Sequence, residues 1–193
     1  MAEKGEKHMN AYDFDKTIYD GDSTADFYLF SFKRHKIIFF LGPSLLGATL
    51  RFYVLKKGSK TQFKEKMYKF LQYCDIEKDV KDFWDINEKK IKEYYKKQQR
   101  PDDVIISASA YFLLTPICER LGIKHLIASR VDPSTGKYEG ENCHGKEKVR
   151  RFREEFGDTK IDEFYSDSHS DDPLAEIAEK AFIVKGEKIE PWN

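Results

Sequence analysis

The chain has no surplus of charge of either sign, since 34 Lys and Arg residues are matched by 34 Asp and Glu residues. That balance removes the electrostatic footprint of a dedicated nucleic-acid binder, so no nucleic-acid partner is expected. Cysteine is scarce and odd in number. Cys74, Cys118 and Cys143 form no close pair in sequence, which argues against a disulfide framework and for a reducing compartment, and the protein is read as cytoplasmic. The first eight residues lack the apolar stretch of a secretory signal, and Met9 offers a second start, so they are left out of the fold reading. Internal repeats and low-complexity segments are absent too. What remains, within 193 residues, suffices for one mid-sized domain or a domain carrying a large insertion.

Two textures divide the chain. Asn10 opens a short extended segment that runs into Tyr12-Asp13-Phe14-Asp15, and Gly21, Asp22 and Ser23 then supply turn and helix N-cap signals. Residues 21–100 read almost entirely helical, with helices expected over 24–33, 36–55, 61–72 and 76–99, and Pro101 closes the block. Beyond it, strands over 103–107, 123–128, 161–165 and 181–184 alternate with helices over 110–121, 146–156 and 173–180, with a hairpin-like turn over 130–138. A repeated βα order implies an α/β fold with a doubly wound, mostly parallel Rossmann-like sheet. Residues 9–20 and 101–193 would form its core, and residues 21–100 an all-helical cap inserted after the first strand.

The chemistry-bearing residues fall at strand ends, where open α/β sheets bind ligands. Asp13 and Asp15 in Asp13-Phe14-Asp15-Lys16-Thr17 are two residues apart, so strand alternation points both carboxylates to one side. Paired carboxylates suit metal binding, or a nucleophile with a neighbouring acid and base. A calcium loop does not fit, because Ile18 stands where that loop needs glycine and Thr24 where it needs glutamate. A second acidic loop, Asp167-Ser168-His169-Ser170-Asp171-Asp172, follows another strand, and two such loops on one edge can hold a hard cation. Ser107 ends a strand before a helix, where its hydroxyl and the next amides can bind phosphate oxygen or simply cap the helix. Lys146 and Lys148 begin a helix, and either can neutralise a phosphoryl group. Cys143 and His144 lack the remaining ligands of a zinc site, and His169 reads as a loop residue.

In this order, Asp13-Phe14-Asp15-Lys16-Thr17, Ser107, Lys148 and Asp167 to Asp171 resemble the four motifs of the haloacid dehalogenase superfamily. The helical block between the first two is similar to the cap of its phosphoserine-phosphatase-like branch. The resemblance implies a magnesium-dependent phosphatase with Asp13 as nucleophile and Asp15 as general acid and then base. It further implies Ser107 and Lys148 as phosphate binders and a Mg2+ site on the Asp13, Asp15, Asp167 and Asp171 side. Lys148 is preferred to Lys146 because the family's lysine is followed four residues later by an apolar residue, here Phe152, whereas Arg150 follows Lys146. Asp22 stands where phosphoserine phosphatases carry a glutamate, and Ser107-Ala108-Ser109 replaces serine and two glycines, so phosphoserine is not the implied substrate. Asp15 points away from dehalogenation, since true dehalogenases lack the second aspartate. A small or lipid-like phosphate monoester is the expected partner. Phosphoryl transfer to an alcohol and non-catalytic phosphate binding are the alternatives.

Residues 37–55 form the most apolar stretch. They read as cap core, because apolar helices are usually buried. The alternative is peripheral contact with an anionic membrane, suggested by flanking Lys33, Arg34, Lys36, Lys56 and Lys57.

Overall fold

The computed structural model describes residues 8–56 and 60–193, with only the backbone of His8 and Lys60; residues 1–7 and Lys57 lie outside the described residues. Six strands form one sheet in the order β3-β2-β1-β4-β5-β6. They are β1 (His8–Tyr12), β2 (Val104–Ala110), β3 (His125–Ser129), β4 (Lys160–Ser166), β5 (Ala178–Lys185) and β6 (Lys188–Pro191). The first five pair in parallel, and only β6 runs antiparallel, on β5. Helices cover both faces, which is why β1 and β2 are buried on successive residues rather than alternately. Met9, Ala11, Val104 and Ile106 face a core closed by Phe152 and Leu174, while Tyr12 and Ile105 face the larger core on the other side.

Every element between β1 and β2 is helical: α1 (Ser23–Arg34), α2 (Gly42–Thr49), α3 (Lys60–Tyr68), α4 (Ile76–Asn87) and α5 (Glu93–Gln98), with short 3-10 and π turns between them. Asp22 caps α1 by accepting from the Ala25 amide at 2.9 Å, and Asp75 caps α4 through the Lys78 amide. The insertion closes on the sheet through stacked and edge-on aromatics, among them Phe14, Tyr19, Phe83 and Trp84, and the Trp84 indole donates to the Leu113 carbonyl at 2.6 Å.

Three expectations change. The helix expected over 76–99 breaks at Glu88–Lys90, because Ile91 is needed in the core, where it bridges to Tyr19. Next to it the Lys92 amine is buried, donating to the Lys16 carbonyl and to the Gly186 carbonyl. The helix expected over 173–180 stops at Ala175 (α8, Asp172–Ala175), and the chain enters β5 at Ala178, since ladder pairing with β4 outweighs helix propensity. Residues 37–55 are not cap core. Of this stretch only Ile38 is buried, and Phe40 is 79% exposed.

After β2 come α6 (Tyr111–Arg120), β3 and the 130–138 loop, which closes by a single bridge between Val131 and Tyr138. Gly136 takes φ +71 where a Cβ would lie 2.6 Å from the Tyr68 carbonyl, so this loop packs backbone to backbone against the insertion.

Candidate active site

Three strands, β1, β2 and β4, bring their site residues to one edge of the sheet, and a helix brings the fourth group. Asp13 leaves β1 with its amide bonded to the Tyr165 carbonyl of β4 at 2.9 Å, which fixes the start of the acidic loop. Lys16, between Asp15 and Thr17, is held at φ 59, a left-handed conformation that non-glycine residues seldom adopt. Helix α7 (Lys146–Phe156) begins at Gly145, and one turn on it places the buried Lys148 in the site. The Lys148 amine donates to Asp13 Oδ1 at 2.6 Å and to Asp171 Oδ2 at 2.8 Å. Lys146 is exposed.

The two aspartates of the first loop face different partners. Asp15 accepts from the Ser23 amide at 2.7 Å and from the Ser109 hydroxyl at 2.5 Å. Burial pushes its carboxyl above the ordinary range, and the nearby Asp22 charge adds to this. Burial also pushes Asp13 up, to about 7; Lys148 pulls against this and Asp171 adds to it. Lys148 stays a cation, because the two carboxylates outweigh the burial that disfavours its charge. Burial raises Asp167 as well, against the pull of Lys16.

A cavity of about 440 Å³ opens over these groups, lined on the sheet side by Asp13, Asp15, Ser107, Lys148, Asp167 and Asp171. The insertion supplies the opposite wall with Tyr53, Phe63, Lys64, Met67 and Tyr68. All six residues singled out in the sequence therefore border one space.

A family model described as haloacid dehalogenase-like hydrolase matches residues 11–176. The chain belongs to that family. Among its relatives, the protein CicA of Caulobacter vibrioides is 36% identical over 83 residues, covering 40% of this chain and 37% of CicA. A Mycobacterium tuberculosis protein named "Probable phosphatase Rv3661" is 34% identical over 94 residues, 45% of this chain and 33% of its own. The match thus spans about a third of the length of these relatives. Among solved structures, a Bordetella pertussis Tohama I protein of unknown function superposes with a TM-score of 0.74 at 20% identity, covering 91% of this chain and 88% of that one. A phospho-aspartyl intermediate analogue of phosphoserine phosphatase superposes with a TM-score of 0.53 at 19% identity, covering 91% and 85%. These likenesses show the haloacid dehalogenase fold.

The acidic groups fit a hard divalent cation. Asp171 Oδ1 is buried without a hydrogen-bond partner, while its Oδ2 is taken by Lys148 and by the Ser166 hydroxyl at 2.8 Å. Each Asp15 oxygen accepts one hydrogen bond, from Ser23 or from Ser109, which leaves lone pairs on both, so Asp13, Asp15, Asp167 and Asp171 are the carboxylate donors on the cation side. They do not form a closed cage. Among the described residues, the one set of three ligand atoms mutually within 4.8 Å is His35, Cys74 and Asp79, none of which lines this cavity, and Asp79 is already held by Arg34 and His35. Separate donors around Lys148 suit a cation that keeps water and accepts a phosphate oxygen, as magnesium does.

Sequence reasoning missed a polar network behind Asp15 and Ser107. Ser109 bonds Asp15, Thr24 and Ser23, and the Lys64 amine reaches the Ala108 carbonyl at 2.9 Å and Asn142 Oδ1 at 3.1 Å. Ser109 could have been found, since it sits where the resembling motif has glycine. Lys64 and Asn142 carry no local signal, because their roles exist only once the insertion folds over the sheet.

Proposed function

We propose that the protein is a magnesium-dependent phosphomonoester hydrolase that works through a phosphoaspartate on Asp13. The observation that carries the reading is the asymmetric environment of two carboxylates in one loop: Asp13 touches the Lys148 cation, while Asp15 is held by neutral donors. Unequal surroundings sort a carboxylate pair into nucleophile and proton carrier. The solved phospho-aspartyl analogue of phosphoserine phosphatase, which shares the fold, agrees with this reading.

In the first step an Asp13 oxygen attacks phosphorus, the bond from phosphorus to the leaving oxygen breaks, and the Asp15 proton goes to that oxygen. In the second, Asp15 takes a proton from water, the water oxygen bonds to phosphorus, and the acyl phosphate breaks to return Asp13 and release phosphate. Lys148 and Ser107 hold the transferring group. Held on the side of Asp13, Asp15, Asp167 and Asp171, magnesium would offset the charge of the two anions brought together. We place the activity in the cytoplasm, in keeping with three free cysteines, and assign the cap role to residues 21–100.

Acid quenching during turnover of a labelled phosphate ester should leave the label on the peptide containing Asp13. Asp13→Asn should lower kcat by at least about a thousandfold while leaving the circular dichroism unchanged. Near wild-type turnover in that variant, or label on another residue, would overturn the assignment.

A further inference from the structure

The segment Lys36–Val54 is long and apolar enough to cross a membrane, with mean hydropathy 1.6, and only 6% of it is buried. A soluble core helix of that composition would be packed away. Here Phe39 is 67% exposed and Leu46 72% exposed, so a contiguous apolar surface stands open on the insertion.

Charge is segregated around it. From Phe27 through Lys64 the sequence carries eight Lys and Arg and no Asp or Glu, although the chain as a whole is neutral. Lys33, Lys36, Arg51 and Lys56 lie exposed beside the apolar residues. An apolar face framed by cations and cleared of anions matches an anionic lipid surface, where acyl chains take the rings and headgroups take the lysines.

The geometry favours lying on the bilayer over crossing it. Spanning would put the two ends of the segment on opposite sides. Instead both return to the same insertion: Phe39 meets Phe32 of α1 at 6.3 Å, and Phe52 stacks on Phe63 of α3 at 5.1 Å. Arg51 also sits inside the stretch.

The same segment reaches the catalytic cavity. Tyr53, 63% exposed, lines that cavity together with Phe63. We infer that the face formed by Lys36–Val54 rests on an anionic membrane surface, and that the cavity it borders takes a phosphate monoester carried by a membrane lipid. The substrate half rests on the phosphatase reading above; the docking half does not.

The test uses the full chain with vesicles of phosphatidylglycerol and phosphatidylcholine, against vesicles of phosphatidylcholine alone. Co-sedimentation should be at least tenfold stronger on the anionic vesicles and should weaken in high salt, and an alkaline carbonate wash should release the protein. Phe39→Asp combined with Phe40→Asp, both exposed positions outside the cavity, should lose vesicle binding at least tenfold. This double variant should hydrolyse p-nitrophenyl phosphate within twofold of wild type but lose at least tenfold on phosphatidate in anionic vesicles. Several outcomes overturn the docking: no binding to anionic vesicles, retention through the carbonate wash as a spanning helix would show, or a wild-type dimer dissolved by the double variant without any vesicle binding. Equal phosphatidate hydrolysis by wild type and variant overturns the substrate half. Intact vesicle binding with no hydrolysis of any ester sinks the phosphatase reading and leaves the docking standing.

Discussion

Asp15 receives one hydrogen bond from a backbone amide and one from the Ser109 hydroxyl, both neutral donors. A carboxylate so placed gives up its proton less readily than one beside a lysine. Asp15→Asn should therefore slow phosphorylation most for alkyl phosphates, whose leaving oxygen needs a proton, and least for nitrophenyl phosphate. Equal losses in single-turnover phosphorylation would count against Asp15 as the acid. In the proposed mechanism Asp13 has the opposite requirement, since it would attack as an anion, yet burial lifts it to about 7. With magnesium limiting, the phosphorylation rate should climb about tenfold per pH unit below 7 and level off above it. Saturating magnesium favours the ionised form and should move that inflection to lower pH; an inflection that stays put would remove Asp13 from the cation's surroundings. Rapid-quench rates from pH 5 to 9 read both.

At the scale of single elements, α7 carries Lys148 and is braced at its start by Glu147, which accepts from Arg150 at 2.7 Å and from Arg151 at 2.8 Å. Arg150 and then Arg151 hold the Glu147 carboxyl down at about 2. A carboxylate with a lowered folded pKa stabilises above its unfolded value and loses that contribution as the pH falls. Glu147→Gln should cost about 1 kcal/mol at pH 7, with the difference closing as pH falls from 4.5 towards 2. Urea melts at pH 7 and pH 3 would show it. Elements with strong local pattern were legible in the sequence: α1, α6, α7 and β1 to β4 lie close to their expected positions, since caps, glycine stops and apolar runs mark them. β6 was not legible, because all four of its residues are exposed on an edge and show no apolar pattern. The 36–54 stretch misled for the same reason in reverse, for hydropathy records what a residue is and not what stands beside it.

Across the whole molecule, insertion and sheet are joined by contacts that no motif announces. Gly136 against the Tyr68 backbone is one, and Gly136→Ala should cost roughly 2 kcal/mol and lower Tm by roughly 5 °C, while kcat on a small ester at low temperature stays near wild type. A thermal scan unchanged by the substitution would show that the loop and the insertion do not press on each other. The order of motifs along the chain made the sheet edge legible, whereas the far wall of the cavity was not, because Tyr53 and Lys64 reach it only through this closure, with Lys64 tied to Asn142. The two roots of the insertion are fastened by unlike bonds. Its returning root is pinned by the Lys92 amine on two main-chain carbonyls, a clasp indifferent to the state of the reaction. Its outgoing root hangs from the Asp15 carboxylate through the Ser23 amide, an acceptor that weakens each time Asp15 carries a proton and tightens each time it gives one up. In the proposed mechanism the grip between insertion and sheet would be timed by the proton itself, slack before the ester is cleaved and firm once the leaving group has taken its hydrogen.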